Sequence, residues 1–269
     1  MMKQIPIQKV CTDTFEMNYF CFGEGDRTLV ILPGLSVQSV MGLAEAVANE
    51  YEVMAKDFTV YVFDRRSELP LAYSVSDMAR DTAEAFRMLG LHDVSLFGAS
   101  QGGMIAMELT IGYPALVARL ALGSASAHVR EAQYRQMRRW IDLAEKKDSV
   151  GLYLAFGEKL YPPTLFAQYK DLLTAAGGTV TEEELARFVI LAQGTKDFHV
   201  SDRLHEIQWP VLVIGSSDDE VVGGDAAMEI VRAFGDRPGV EHYMYTGYGH
   251  AAYDTAPDYR QRLYDFFMR

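Results

Sequence analysis

Short apolar runs recur along the chain and predict the strands of a sheet. Two alternating segments, 8–13 and 15–22, predict a hairpin near the start. Nearly continuous apolar runs follow, as expected of strands that are covered on both faces. These buried strands are predicted at 28–32, 58–63, 94–97, 117–122, 209–215 and 240–245.

Amphipathic segments separate these runs and predict helices. In one of these segments the residues at both ends are typical of helix termini. Ser76 is the predicted N-cap, Asp77 lies in the first turn, and the helix is predicted to end before Gly90. The alternation of strand and helix with short connections predicts an α/β fold, a mostly parallel eight-stranded sheet with helices on both faces. The predicted helices are 38–51, 76–89, 101–113, 225–234 and 257–268.

The strand and helix alternation stops between residues 128 and 200. This stretch predicts four helices at 129–147, 150–160, 163–176 and 182–193, the last with a capping-box start at Thr181. Nine aromatic residues fall in this stretch, either as the core of these helices or as the lining of a pocket. We expect residues 128–200 to form an inserted helical cap (lid), and residues 1–127 and 201–269 to form the core domain.

Composition narrows the classes of partner. The chain has 269 residues and a formal net charge of −12, which disfavours nucleic acid and anionic membrane surfaces because both attract basic patches. No apolar stretch reaches 18 residues and no signal peptide is apparent, so we expect a cytoplasmic protein. Two cysteines at a spacing that matches no metal site predict neither a disulfide framework nor a metal centre.

Residues 98–102 have the pattern Gly-x-Ser-x-Gly between a predicted strand and a predicted helix. In this context the pattern predicts a nucleophile elbow, a strained turn that exposes the hydroxyl of Ser100. Small residues are needed on both sides because a side chain there would crowd the turn.

A serine nucleophile needs a general base, and the base needs an orienting acid. Working groups gather after the carboxyl ends of parallel strands. Of the six histidines, only His250 directly follows a predicted strand, within a loop that contains glycines. The acid is expected after the preceding strand, where Asp218, Asp219 and Glu220 compete. The order serine, acid, histidine along the chain is the one expected of this architecture.

With these motifs the chain resembles the α/β-hydrolases, and in particular the cap-bearing branch that includes carboxylesterases, enol-lactonases, C–C bond hydrolases and proline iminopeptidases. The elbow at 98–103 and the loop around His250 match the family. In the acid loop the family places the carboxylate three residues after a glycine, and counting from Gly215 this implies Asp218. The resemblance therefore implies the triad Ser100, Asp218 and His250.

The family also implies an oxyanion hole formed by two backbone N–H groups, those of Gln101 and, by analogy, Leu35. Two departures accompany this resemblance. Pro33 stands where the family usually carries histidine, and Ser67 stands where it often carries glycine in an Asp-x-Arg-Gly motif. Arg65 and Arg66 in that segment are interpreted as structural or solvated, with contact to an acidic group of the substrate as the alternative.

The expected function is a serine hydrolase that cleaves a small to medium carboxylic ester, lactone or thioester, with no metal and no organic cofactor. A C–C bond hydrolase or an iminopeptidase is the alternative enzyme, the latter needing cap acids such as Glu145, Glu158 or Asp171. A ligand-binding receptor that keeps the fold is the alternative from another class. The expected partner is a small molecule, and the sequence does not indicate an oligomeric state.

Overall fold

A computed structural model describes residues 4–269 and contains one eight-stranded sheet. The strands occur where the sequence pattern predicts them, and no strand end differs from its predicted position by more than three residues. They are β1 Gln8–Cys11, β2 Glu16–Phe22, β3 Arg27–Leu32, β4 Phe58–Arg66, β5 Val94–Ala99, β6 Val117–Gly123, β7 Val211–Ser216 and β8 Val240–Tyr245.

The sheet is mostly parallel, as predicted. Its strand order is β1-β2-β4-β3-β5-β6-β7-β8. Strand β2 pairs antiparallel with β1 and β4, and all other neighbours are parallel. Strands β5 and β7 are buried along their whole length, which is why they appear in the sequence as unbroken apolar runs.

Helices cover both faces of the sheet. Several helix boundaries differ from the prediction. The first α-helix begins at Ala44 and not at residue 38, after a 3-10 turn over Val40–Leu43. In the second helix the N-cap is Ser74, whose hydroxyl and Asp77 form a capping box, and Ser76 already lies inside the helix. None of the helices in residues 4–269 is both long and apolar enough to cross a bilayer. The α-helices are α1 Ala44–Glu50, α2 Val75–Met88, α3 Gln101–Gly112, α4 Glu131–Glu145, α5 Ser149–Leu160, α6 Pro163–Gly177, α7 Glu182–Gln193, α8 Ala226–Phe234, α9 Ala252–Thr255 and α10 Tyr259–Phe267.

Two hydrophobic clusters lie on opposite faces of the sheet. Helices α2, α3 and α8 contribute to one, and α1 and α10 contribute to the other. This is the three-layer arrangement that buries both faces of a parallel sheet.

Helices α4 to α7 are inserted between β6 and β7 and have a core of their own around Trp140, Leu152 and Phe188. The two ends of this helical insertion are joined by an isolated antiparallel bridge between His128 and His199. The bridge lies at the ends predicted for the cap domain.

Candidate functional site

Ser100 lies in the sharp turn between β5 and α3. Its backbone has φ 52° and ψ −120°, a conformation that is strained for a residue with a side chain. The turn is fixed because the Ser100 N–H donates to the carbonyl of Gly123 at 2.8 Å. The serine is therefore held at the carboxyl end of the central strand with its hydroxyl directed out of the turn.

The glycines beside the serine are required by close backbone approach. A Cβ atom at Gly98 would lie 2.4 Å from the carbonyl oxygen of Gly102, and one at Gly102 would lie 1.9 Å from that of Leu32. Real Cβ contacts are much longer, so the chain must separate if either residue gains a side chain.

We expect Gly102→Ala to destabilise the protein by about 3 kcal/mol, because backbone and not a flexible side chain occupies the space. Differential scanning calorimetry should show a Tm lower by about 5–10 °C. Gly112→Ala, at the end of the same helix with open space around it, is the control and should be neutral or stabilising by about 0.5–1 kcal/mol. Equal Tm values for Gly102→Ala and wild type would contradict the tight packing of this turn.

His250 links the serine to a carboxylate. Its Nε2 lies 2.9 Å from Oγ of Ser100, and its Nδ1 lies 2.8 Å from Oδ2 of Asp219. The imidazole is 2% exposed. The helical insertion holds this loop, because the N–H of Ala251 donates to the carbonyl of Leu160 at 3.0 Å.

The residue that contacts His250 is Asp219 and not Asp218, so the acid assignment based on spacing from Gly215 is wrong by one residue. Asp219 is buried, and its second oxygen accepts the N–H groups of Val221 and Val222 at 2.8 and 3.0 Å. This local turn directs the carboxylate inward. The sequence of the acid loop contains no signal that separates Asp219 from the adjacent Asp218.

Asp218 points away from the imidazole and supports the histidine loop. Its oxygens accept the N–H groups of Gly247 and Gly249 at 2.9 and 3.1 Å and the Ser216 hydroxyl at 2.7 Å. Burial by itself would raise the pKa of Asp218, but these hydrogen bonds outweigh it and lower the pKa. Of these neighbouring carboxylates, Asp219 thus binds the imidazole of His250, and Asp218 binds the backbone of the loop that carries it.

The loop after β3 lies against the serine. A Cβ at Gly34 would be 3.2 Å from the Cβ of Ser100. Leu35 and Gln101, the residues predicted to supply oxyanion donors, line one cavity together with Ser100. The N–H of Gln101 belongs to the first turn of α3, where N–H groups have no acceptor within the helix.

This site cavity has a volume of about 40 Å³ and lies between the sheet and the insertion. None of its lining side chains carries a charge. Trp140 is the one member of the nine insertion aromatics that lines it, so the other eight serve other contacts. The lining residues are Leu35, Ser100, Gln101, Met104, Val129, Gln133, Gln136, Met137, Trp140, Thr195, Val221 and Val222.

Arg65 is a residue near the site whose contacts the sequence left undefined. It is 4% exposed, and its Nη2 donates to the carbonyl of Pro33 at 2.7 Å and to Oε1 of Gln101 at 3.2 Å. The burial of Arg65 and its contacts within the protein therefore favour a structural role over exposure to solvent. Nothing in its local sequence distinguishes it from the more exposed Arg66.

Among residues 4–269, no three His, Cys, Asp or Glu side chains come together in a way that could hold a metal ion.

The fold and the connected serine, imidazole and carboxylate define a class of hydrolytic enzymes, and comparison with known sequences agrees. Residues 29–260 match the alpha/beta hydrolase family, and the chain belongs to that family. It is 25% identical over 252 residues to a putative carbamate hydrolase RutD of Agrobacterium fabrum, covering 90% of this chain and 95% of that protein.

Solved structures show the same fold. An alpha/beta hydrolase enzyme from a Medee basin deep-sea metagenome library superposes with a TM-score of 0.86 at 18% identity, covering 97% of this chain and 98% of that one. The enol-lactonase of Burkholderia xenovorans superposes with a TM-score of 0.83 at 15% identity, covering 97% and 100%.

Proposed function

We propose that this protein is a serine hydrolase that cleaves small carboxylic esters, or related lactones and thioesters, through an acyl-enzyme on Ser100. The observation that carries the proposal is the continuous hydrogen-bonded path from Ser100 through His250 to Asp219, with distances of 2.9 and 2.8 Å. These are the distances that proton transfer from a nucleophile to a general base requires.

In the proposed reaction His250 Nε2 takes the proton of Ser100 as Oγ attacks the substrate carbonyl. The imidazolium then gives this proton to the leaving alcohol as the tetrahedral intermediate collapses to the acyl-enzyme. Water, activated by the same nitrogen, releases the acid and restores the serine. Asp219 holds the Nδ1–H tautomer and stabilises the imidazolium.

The negative oxygen of the tetrahedral intermediate needs donors that are already in place. The N–H groups of Leu35 and Gln101 are the proposed pair, because both residues line the cavity beside Ser100. The start of α3 adds the positive end of its helix dipole.

The substrate is proposed to be small and uncharged near its acyl group. The site cavity is narrow and its lining is apolar except for hydroxyl and amide groups. An iminopeptidase would need a carboxylate to bind the amino terminus of its substrate, and Glu145, Glu158 and Asp171 are not among the lining residues. The helical insertion would then act as a cap that sets the size of the acyl group.

Labelling with a fluorophosphonate, followed by peptide mapping, tests the nucleophile and the base together. The expected label is on Ser100, and it should be lost in His250→Ala because the base is missing. Short p-nitrophenyl esters and small carbamates should then be assayed for turnover, the latter because of the name of the Agrobacterium relative. Tight ligand binding without label or turnover would favour a receptor instead, and turnover confined to C–C substrates would favour the alternative enzyme.

Chain length should discriminate strongly between ester substrates. We expect kcat/KM to fall from p-nitrophenyl acetate to the octanoate, because each excess methylene is worth about 1–3 kcal/mol in a fitted pocket. Met137→Ala widens the site cavity and should raise the octanoate-to-acetate ratio of kcat/KM about tenfold. Met88→Ala, an exposed methionine on α2, is the control and should leave the ratio unchanged. An unchanged ratio in Met137→Ala would show that acyl groups bind elsewhere.

A further inference from the structure

Arg65 is a buried cation at the carboxyl end of β4, next to the loop that follows β3. Its Nη2 contacts two oxygens, and its Nε is buried without a hydrogen-bond partner among residues 4–269. Burial lowers the pKa of Arg65 to about 10, so the guanidinium remains charged at neutral pH. A buried charge that is incompletely paired lowers the stability of the fold, because it has lost its hydration. We therefore infer that Arg65 has a role other than stabilising the fold.

The first contact of Arg65 orients the loop that carries Leu35. The carbonyl of Pro33 accepts from Nη2 at 2.7 Å, which fixes the plane of the peptide between Pro33 and Gly34. A Cβ at Gly34 would lie only 3.2 Å from that of Ser100, and the glycine found there leaves the backbone of the loop with more freedom than any other residue would. Pro33 has no side-chain donor, and the loop must be held from outside.

The second contact reaches the other proposed donor residue. The amide side chain of Gln101 is 2% exposed and lies between two partners. Its Oε1 accepts from Arg65 at 3.2 Å, and its Nε2 donates to the carbonyl of Leu191 on α7 at 2.8 Å. One guanidinium therefore connects the two chain segments whose N–H groups would face the oxyanion.

The backbone of Arg65 is held by its neighbour Asp64. One oxygen of this carboxylate accepts the Arg65 N–H at 2.6 Å and Nη2 of Arg187 at 3.2 Å, and the other accepts the Ser39 hydroxyl at 2.5 Å. Helix α7 of the insertion thus contacts the end of β4 through Arg187 and the Gln101 side chain on α3 through Leu191.

We propose that Arg65 is a positioning residue for the oxyanion hole, holding the Pro33–Gly34 peptide and the Gln101 side chain so that the N–H groups of Leu35 and Gln101 converge. This inference rests on the proposed function. The positive charge of Arg65 also acts through the low-dielectric interior on the anion formed at the carbonyl oxygen. Because the ground-state carbonyl carries little charge, the effect belongs to the transition state and should appear in kcat.

Kinetics of Arg65→Met and Arg65→Gln with p-nitrophenyl acetate test this role. Both variants should lose about 10- to 100-fold in kcat, with KM within threefold of wild type. The Ki of phenylboronic acid, which forms a tetrahedral anion on the serine, should rise by a similar factor. Arg65→Lys should lie between wild type and Arg65→Met, because it restores a charge but not the planar fork.

Arg66→Met is the matched control. The side chain of Arg66 donates to the carbonyls of Glu68 and Thr14 and contacts nothing in the site cavity. Its kcat, KM and boronate Ki should equal those of wild type. Circular dichroism melting of each variant shows that the comparison is between folded proteins.

The inference is overturned if folded Arg65→Met or Arg65→Gln keeps a kcat within threefold of wild type, or if the whole loss lies in KM. An equal loss in Arg66→Met would also overturn it. These outcomes differ from failure of the proposed function, in which wild type itself would neither hydrolyse the ester nor be labelled on Ser100.

Discussion

Ser100→Ala is expected to abolish hydrolysis of p-nitrophenyl butyrate, with kcat reduced by about 10⁵-fold or more. The reason is that the substitution removes the proposed nucleophile, the oxygen that lies 2.9 Å from Nε2 of His250. Stopped-flow and steady-state assays of p-nitrophenol release measure this, with the uncatalysed rate subtracted. KM should change little, since the oxygen contributes to the reaction more than to binding.

Ser95→Ala is the control for this change. Ser95 is a buried serine near the amino end of β5, the strand that precedes Ser100, where it is paired with Leu29 and Arg119 on the neighbouring strands. Its kcat should equal that of wild type. A residual kcat above 1% in Ser100→Ala, with Ser95→Ala unaffected, would mean that another residue is the nucleophile.

The double variant Ser100→Ala/His250→Ala gives a sharper result. A base without a nucleophile has nothing to activate, so the second substitution should cost almost nothing further. If the two losses multiplied instead, serine and imidazole would be acting in separate steps, and the geometry of the hydrogen-bonded path would not describe the reaction.

The fold was predictable because its signals are local. Buried parallel strands such as β5 and β7 must be apolar on both faces, and no side chain fits at Gly98 or Gly102, on either side of the turn where β5 meets α3. The glycine-flanked serine and the histidine after the last strand were predictable for the same reason. Each is defined by the residues beside it in the chain.

The remaining features depend on contacts between distant segments. Spacing from Gly215 cannot show which of two adjacent carboxylates turns inward, because the choice depends also on the N–H groups of Gly247 and Gly249, which bind Asp218 from a loop about thirty residues away. The same holds for Arg65, whose acceptors lie on the loop after β3 and on α3. The N-cap of α2 was misplaced by two residues because Ser74 and Ser76 both precede an acidic residue.

Asp219→Asn is expected to lower kcat by about 10⁴-fold with little change in KM. The amide has the shape of the carboxylate, so the loop around it should be preserved. Its NH₂ group, however, would donate to Nδ1 of His250 and select the tautomer with the proton on Nε2, which cannot accept a proton from Ser100. Steady-state kinetics and fluorophosphonate labelling rates should fall together.

Asp218→Asn provides the matched comparison at the adjacent residue. Its carboxylate accepts two loop N–H groups, and the residue is solvent-exposed. The free energy of unfolding should therefore fall by about 1 kcal/mol or less, and kcat should stay within tenfold of wild type. Because the pKa of Asp218 is lowered in the fold, its charge stabilises the protein above the unfolded pKa, near 3.8. The Tm difference between wild type and Asp218→Asn should therefore be present at pH 7 and vanish as the pH falls through the folded pKa.

The contrast between the two variants is informative because the chemical change is identical and the residues are neighbours. If only the charge of the loop mattered, kcat would fall to a similar extent in both variants. Orientation of the imidazole instead requires contact with Nδ1 of His250, and of the two residues Asp219 makes that contact. A large loss in Asp218→Asn with a mild one in Asp219→Asn would require the acid loop to shift until residue 218 replaces residue 219 against His250. That shift would break the Asp218 bonds to Gly247 and Gly249, so the active enzyme would then have a loop arrangement different from the one described.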